Sequence, residues 1–139
     1  MARTTFNGPV VSQNGFIAGH QVTTDNAINA TGTATAAQVI AGYITSTSAA
    51  ATTITLPTGT ALGTAIGATQ GTTLDLFVDN TAGASTVTMA VNTNAVLSSA
   101  ATDTAGSFGD LTIASGATGI GRYTIMFSSP TAYVFTRTA

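Results

Sequence analysis

The stretch from Thr72 to Thr93, TTLDLFVDNTAGASTVTMAVNT, constrains the fold more than any other part of the chain. Leu74, Leu76 and Val78 fall on one side of an extended backbone, and Val87, Met89 and Val91 do the same further on. Successive side chains of a strand point to opposite faces, so this period of two marks strands with one buried face. Between the halves lies Asp79-Asn80-Thr81-Ala82-Gly83-Ala84, rich in small and turn-forming residues. The pattern predicts an antiparallel β-hairpin.

The same alternation returns near the C-terminus. Tyr123, Ile125 and Phe127 share one face, as do Tyr133 and Phe135, with Val134 opposite and Ser128-Ser129-Pro130-Thr131 as the turn. Four large aromatic side chains in one hairpin place it in the middle of the core. Composition extends the argument. Lysine and glutamate, the commonest solvent-facing helix residues, are absent, and threonine, which stiffens χ1 and suits a pleated strand, abounds.

Charged residues make up 6% of the chain, against roughly a quarter in an average domain. Exposed sheet edges are normally defended by charge, above all by lysine. With that defence missing, much of the surface is expected to be covered in use, by other copies or by a larger body. A net charge of −2 argues against a nucleic-acid partner, which calls for a clustered basic surface. The lack of cysteine removes disulfides and thiol nucleophiles. No apolar run approaches the ~20 residues of a membrane helix, and MARTTFNGPVV lacks the apolar core of a signal peptide.

In chain order, residues 1–20 read as an N-terminal arm. Its turn signals are Asn7-Gly8-Pro9 and Asn14-Gly15, and its apolar anchors include Val10, Val11, Phe16 and Ile17. Residues 21–139 read as a single β-sandwich domain. Within it, residues 21–38 suggest a loop, 39–47 a strand, and 52–56 a strand ended by Pro57. A short helix is expected near 59–67, capped by Thr58 or Thr60 and ended by Gly67. Val96 and Leu97 make a short apolar patch. Residues 98–109 read as a loop with Phe108 as a plug, and 111–114 as a strand. The predicted class is all-β: an antiparallel sandwich or jelly roll of about seven or eight short strands with one short helix.

Reactive groups are sparse. His20 is the only histidine, and a metal centre or catalytic triad needs partners that the chain near it does not supply. Asp75 and Asp79 share a strand face, and Asp103 and Asp110 lie in a later loop. No calcium-loop pattern connects them, and a glycosidase reading lacks an aromatic-rich cleft. Arg122 is expected to pair with an aspartate of its own domain, an option open to Arg137 as well, whereas Arg3 in the arm is expected to dock on an acidic partner surface. Gly116-Ala117-Thr118-Gly119-Ile120-Gly121 lacks the Lys-Ser/Thr ending of a phosphate loop. The chain is therefore expected to be no enzyme, with no catalytic, cofactor-binding or metal-binding residue.

Three pieces carry a resemblance. MARTTFNGPVVSQNGF holds the phrase T-x-F-x-G-P-V-x-S-x-N-G-F at residues 4–16. Residues 54–91 run from ITLPTGTALG to STVTMAV, and the chain closes on GRYTIMFSSPTAYVFTRTA. Together they resemble the head decoration (cement) proteins of tailed phages. That resemblance implies a β-sandwich or jelly-roll body assembled as a homotrimer on the outer capsid surface of the virion. There it bridges neighbouring capsomers of the major capsid protein. It assigns the arm, with Arg3, Phe6, Pro9, Val10, Val11, Phe16 and Ile17, to contact with the capsid or an adjacent subunit. The alternative weighed against it is a trimeric tail-fibre or receptor- or glycan-binding domain.

Overall fold

The computed structural model describes residues 26–97 and 111–138. Nine strands and two helices follow one another: β1 (Gly32–Thr33), α1 (Ala36–Ile40), β2 (Tyr43–Thr45), β3 (Thr52–Thr55), α2 (Gly59–Ile66), β4 (Thr73–Asp79), β5 (Val87–Ala90), β6 (Ala95–Leu97), β7 (Thr112–Ile113), β8 (Ile120–Ser129) and β9 (Ala132–Arg137). They form a four-stranded sheet in the order β1-β3-β5-β7 and a five-stranded sheet in the order β2-β4-β8-β9-β6.

This overturns the purely antiparallel sandwich or jelly roll. The pairings β1–β3, β3–β5, β2–β4 and β6–β9 are parallel, while β4–β8, β8–β9 and β5–β7 are antiparallel. The cause is the path of the chain. From β1 to β8 each successive strand lies in the other sheet. A strand that rejoins a sheet after a visit to the opposite one has already been reversed once. It can therefore lie parallel to its predecessor, which a tight hairpin forbids.

The predicted hairpin over 72–93 falls with it. β4 and β5 belong to different sheets, so the turn between them is a crossover. The faces were nevertheless right: Leu76, Val78, Val87 and Met89 are buried in one shared core, with Leu74 and Val91 packed at its margin. Each half of the stretch buries its alternate residues, but against the opposite sheet.

The strand expected over 39–47 is also corrected. Its first residues belong to α1, and β2 begins only at Tyr43. A capping box starts the helix. Gln38 N donates to Thr35 Oγ1 at 3.2 Å, and Thr35 N donates to Gln38 Oε1 at 2.9 Å. Gly42, at φ +74°, turns the chain out of the helix into β2. The second helix agrees with expectation: the Thr58 side chain caps α2 and Gly67, at φ +60°, ends it.

The hairpin over 120–137 forms as read, with β8 and β9 paired and the chain reversing between Ser129 and Ala132. It occupies the centre of the larger sheet. Tyr123 stacks on Phe135 with centroids 4.8 Å apart, and Phe127 meets Tyr133 at 5.5 Å. Such pairs add about 0.5–1.5 kcal/mol beyond their buried area. The Tyr133 hydroxyl, sealed in the core, donates to Pro57 O at 2.7 Å, and burial pushes its pKa well up.

Candidate interaction face

The chemistry of the described residues is concentrated on the outer face of the five-stranded sheet. In β4 the core takes Leu76 and Val78, so Thr73, Asp75, Phe77 and Asp79 point away from it. In β8 the core takes Tyr123, Ile125 and Phe127, which leaves Ile120, Arg122, Thr124 and Met126 outside. Residues directly opposite in a ladder share a face, so the register assembles the surface row by row.

One end carries Tyr43 of β2 beside Phe77, which lies beside Arg122, with Ile120 opposite Asp79 in the next row. The other end carries Met126 beside Val134, which lies beside Val96 of β6. Between them runs a polar row of Asp75, Thr124 and Thr136. The exposed large hydrophobic residues, among those described, are Tyr43 (38%), Phe77 (39%), Val96 (59%), Ile120 (52%) and Met126 (47%). All five stand on this sheet. The four-stranded sheet instead turns Thr53, Thr55, Thr88, Ala90 and Thr112 away from the core.

The charged groups of the face are engaged with one another. Arg122 Nη2 donates to Asp75 Oδ2 at 2.7 Å, Thr124 donates to Asp75 Oδ1 at 3.0 Å, and the Arg122 guanidinium lies 5.6 Å from the Phe77 ring centre. Arg122 thus pairs within its own domain, as expected. Both partners are substantially exposed, and such pairs stabilise by about 0–1 kcal/mol, so their effect is on orientation more than stability. Arg137 donates from Nη1 to the backbone carbonyl of Thr112 at 3.2 Å, which ties β9 to β7 across the two sheets.

Asp79 accepts from the Tyr43 hydroxyl at 2.5 Å, and from Thr81 N and Oγ1 at 2.9 and 2.7 Å. The Tyr43 hydroxyl, then the Thr81 hydroxyl and amide, hold the Asp79 carboxyl below its ordinary pKa, against a small opposing effect of burial. The same bond to Asp79 is the main cause that pushes the Tyr43 hydroxyl up. A depressed folded-state pKa means that the contribution of Asp79 is full above the unfolded pKa of about 3.9 and is lost as pH falls through the folded value. Tyr43→Phe is therefore expected to lower stability at neutral pH and to flatten its acid-side slope. Denaturant midpoints taken from about pH 7 down to about pH 2 check this; a midpoint difference that stays constant over that range would refute it.

Asp75 and Asp79 do share a strand face, as the sequence indicates, but each is held by its own donors. Among the described residues, no group of three or more potential metal ligands comes together. Arg3, Phe6, Pro9, Val10, Val11, Phe16, Ile17, His20, Asp103, Phe108 and Asp110 lie outside the described residues. The sequence marks Val96 as part of a short apolar patch and Val134 as lying opposite a buried face, but it does not join them with Phe77, Ile120 and Met126 into one surface. The signal was there: Ile120 and Met126 occupy the alternate positions of a strand whose other positions form the core. Comparison of the chain with protein-family models, with curated proteins and with solved structures finds no match.

Proposed function

We propose that this chain is a structural virion protein, a capsid decoration protein of a tailed phage. It binds the outer capsid surface as a homotrimer and stabilises contacts between capsomers of the major capsid protein. The supporting observation is the outer face of the five-stranded sheet, where five large apolar side chains stand in the open on a body almost without charge. Surfaces of that kind mark sites of association. The resemblance of residues 4–16, 54–91 and 121–139 to head decoration proteins supplies the kind of partner.

On this reading the work done is mechanical. Buried apolar contact contributes about 25 cal/mol per Å², and each trimer adds such area across a seam that packaged DNA pulls apart. The residues assigned to contact with the capsid or an adjacent subunit are Arg3, Phe6, Pro9, Val10, Val11, Phe16 and Ile17. The polar groups of the sheet face satisfy one another and serve orientation, not turnover, and the reading involves no cofactor, nucleic acid or membrane.

The test is direct. The purified chain should sediment at three times the 13.7 kDa of one copy and should bind capsids stripped of their own decoration protein. Arg3→Ala combined with Phe6→Ala should weaken that binding by roughly tenfold or more, the loss of one well-packed anchor. A chain that ignores stripped capsids but recognises defined glycans belongs to a tail, and the proposal fails.

A further inference from the structure

We propose that the cleft beside Asp79 seats a lysine side chain of a partner protein, with its ammonium on the carboxylate and its stem along Tyr43, Phe77 and Ile120. The inference rests on the capsid reading for the partner's identity alone, which is then the major capsid protein.

The cleft is built before any partner arrives. It lies where segments 27–29, 45–47 and 79–82 meet, and its volume is about 240 Å³. Backbone bonds join the three segments: Ile28 N donates to Thr45 O at 2.9 Å, and Ser46 N donates to Asp79 O at 2.8 Å. Thr47 N donates to Asn29 Oδ1 at 2.8 Å, which fixes the amide side chain of the lining. Pockets for small molecules run to roughly 300–1,000 Å³, so this one suits a single side chain.

Asp79 supplies the charge. The charged side chains among the described residues are Asp75, Asp79, Arg122 and Arg137. Arg122 is taken by Asp75 at 2.7 Å, and Arg137 Nη1 donates to Thr112 O. The donors to Asp79 are all neutral: the Tyr43 hydroxyl and the amide and hydroxyl of Thr81. They hold its carboxyl below the ordinary pKa, so it is ionised at neutral pH. A carboxylate without a cation, in a preformed cleft, is electrostatically complementary to a positive group from outside.

The acceptor sites select the kind of cation. A carboxylate accepts at about four lone-pair positions. Thr81 N and Oγ1 both donate to Oδ1, and the Tyr43 hydroxyl donates to Oδ2. One position is left, on Oδ2. A guanidinium binds best as a fork across both oxygens, which these bonds obstruct. An ammonium is a compact point charge that needs one oxygen and can turn its other donors elsewhere, here to the hydroxyls of Ser46 and Thr47. A lysine also carries a four-carbon stem that packs on apolar surface while its head stays in polar surroundings. Such a surface adjoins the cleft. Ile120 stands opposite Asp79, Phe77 shares its strand face, and Tyr43 lies beside Phe77.

The chain itself contains no lysine. Neither another copy nor any other part of this chain can fill the cleft in this way, so the occupant comes from a different protein.

The test is the binding of the full chain to stripped capsids while sodium chloride is raised from about 0.05 to about 0.5 M, which screens exposed charge. The parent should lose affinity over that range. Asp79→Asn should weaken binding by about tenfold or more at low salt, the loss of one partner of a close charge pair, and should flatten the salt dependence. Ala82→Lys, at an exposed position of the lining, places an ammonium of the chain's own in the cleft and should do the same; it carries the test if Asp79→Asn does not fold. Variants that bind as tightly as the parent, or that keep its full salt dependence, overturn the proposal and leave the decoration reading intact. If the parent ignores stripped capsids, the decoration reading fails, and titration with n-butylammonium followed by amide NMR decides for the cleft. Saturable shifts at Asn29, Thr47 and Thr81 that vanish in Ala82→Lys uphold the lysine seat; a parent spectrum that does not respond overturns it.

Discussion

Gly63→Ala is expected to destabilise the protein by about 2–3 kcal/mol, the cost of overpacking a tight contact. Helix propensity alone predicts the opposite sign, because alanine favours a helix interior by about 1 kcal/mol over glycine. Packing decides. A Cβ at position 63 would run into the Pro130 carbonyl oxygen and approach Phe127 Cε1 to 3.1 Å. Gly59, one turn earlier on the same face of α2, meets the Thr131 and Asn94 carbonyl oxygens in the same way. The obstacles are backbone atoms of the β8–β9 turn and of the approach to β6, and they cannot rotate aside as a side chain would. An added methyl must push α2 off the end of the sandwich, which exposes Leu62 and loosens the cover over Phe127. Equilibrium urea unfolding of Gly63→Ala beside Thr64→Ala on the solvent side checks the claim. Thr64→Ala should be neutral or slightly stabilising; a Gly63→Ala protein as stable as the parent would show that α2 does not sit so closely.

Asn80→Ala is expected to cost about 2–4 kcal/mol, the sum of a lost hydrogen-bond donor and buried carbonyls left without it. Asn80 is fully buried where the chain leaves β4 for the other sheet. Its Nδ2 donates to Ser85 O at 2.8 Å, to Ala114 O at 3.0 Å and to Ile113 O at 3.3 Å. Its backbone N donates to Gly119 O at 2.6 Å. One residue thus holds the β4–β5 crossover, the end of β7 and the entry to β8. Gly83 and Gly119 pack on it so closely that neither has room for a Cβ. Asn80→Asp is expected to do at least as much harm at neutral pH, since a carboxylate would face three carbonyl oxygens in a buried site. Thermal unfolding of both variants is the measurement. A midpoint within about 1 °C of the parent, far below the several degrees that 1 kcal/mol moves a domain of this size, would remove Asn80 from this role.

Local signals served well where the interaction they describe is itself local. Thr58 and Gly67 bracket α2 because a cap bonds within a turn of its own residue. The 120–137 hairpin formed because two residues between Ser129 and Ala132 leave the strands nowhere to go but against each other. The start of α1 was missed, since residues 21–38 read as a loop and the apolar run Val39-Ile40 as a strand, although Thr35-x-x-Gln38 forms a capping box. With only five residues, α1 offers too few turns for its period to show.

The sequence by itself determined which side of each strand is buried. Leu76 and Val78, Val87 and Met89, Tyr123 and Phe127 all entered the core as their alternation required, because the side-chain period of a strand is a property of its own backbone. It also left Asp75, Phe77 and Asp79 outside together, and so laid out part of the candidate face. Which sheet each strand joins was decided only by the tertiary structure. The stretch from Thr72 to Thr93 carries the same alternation whether its halves pair with each other or face each other across a core. The folded arrangement is held at the crossover by Asn80, whose partners at Ile113, Ala114 and Gly119 lie more than thirty residues away along the chain. The cluster of Tyr43, Phe77 and Ile120, drawn from three strands, exists only because β5 lies in the opposite sheet and β4 lies between β2 and β8.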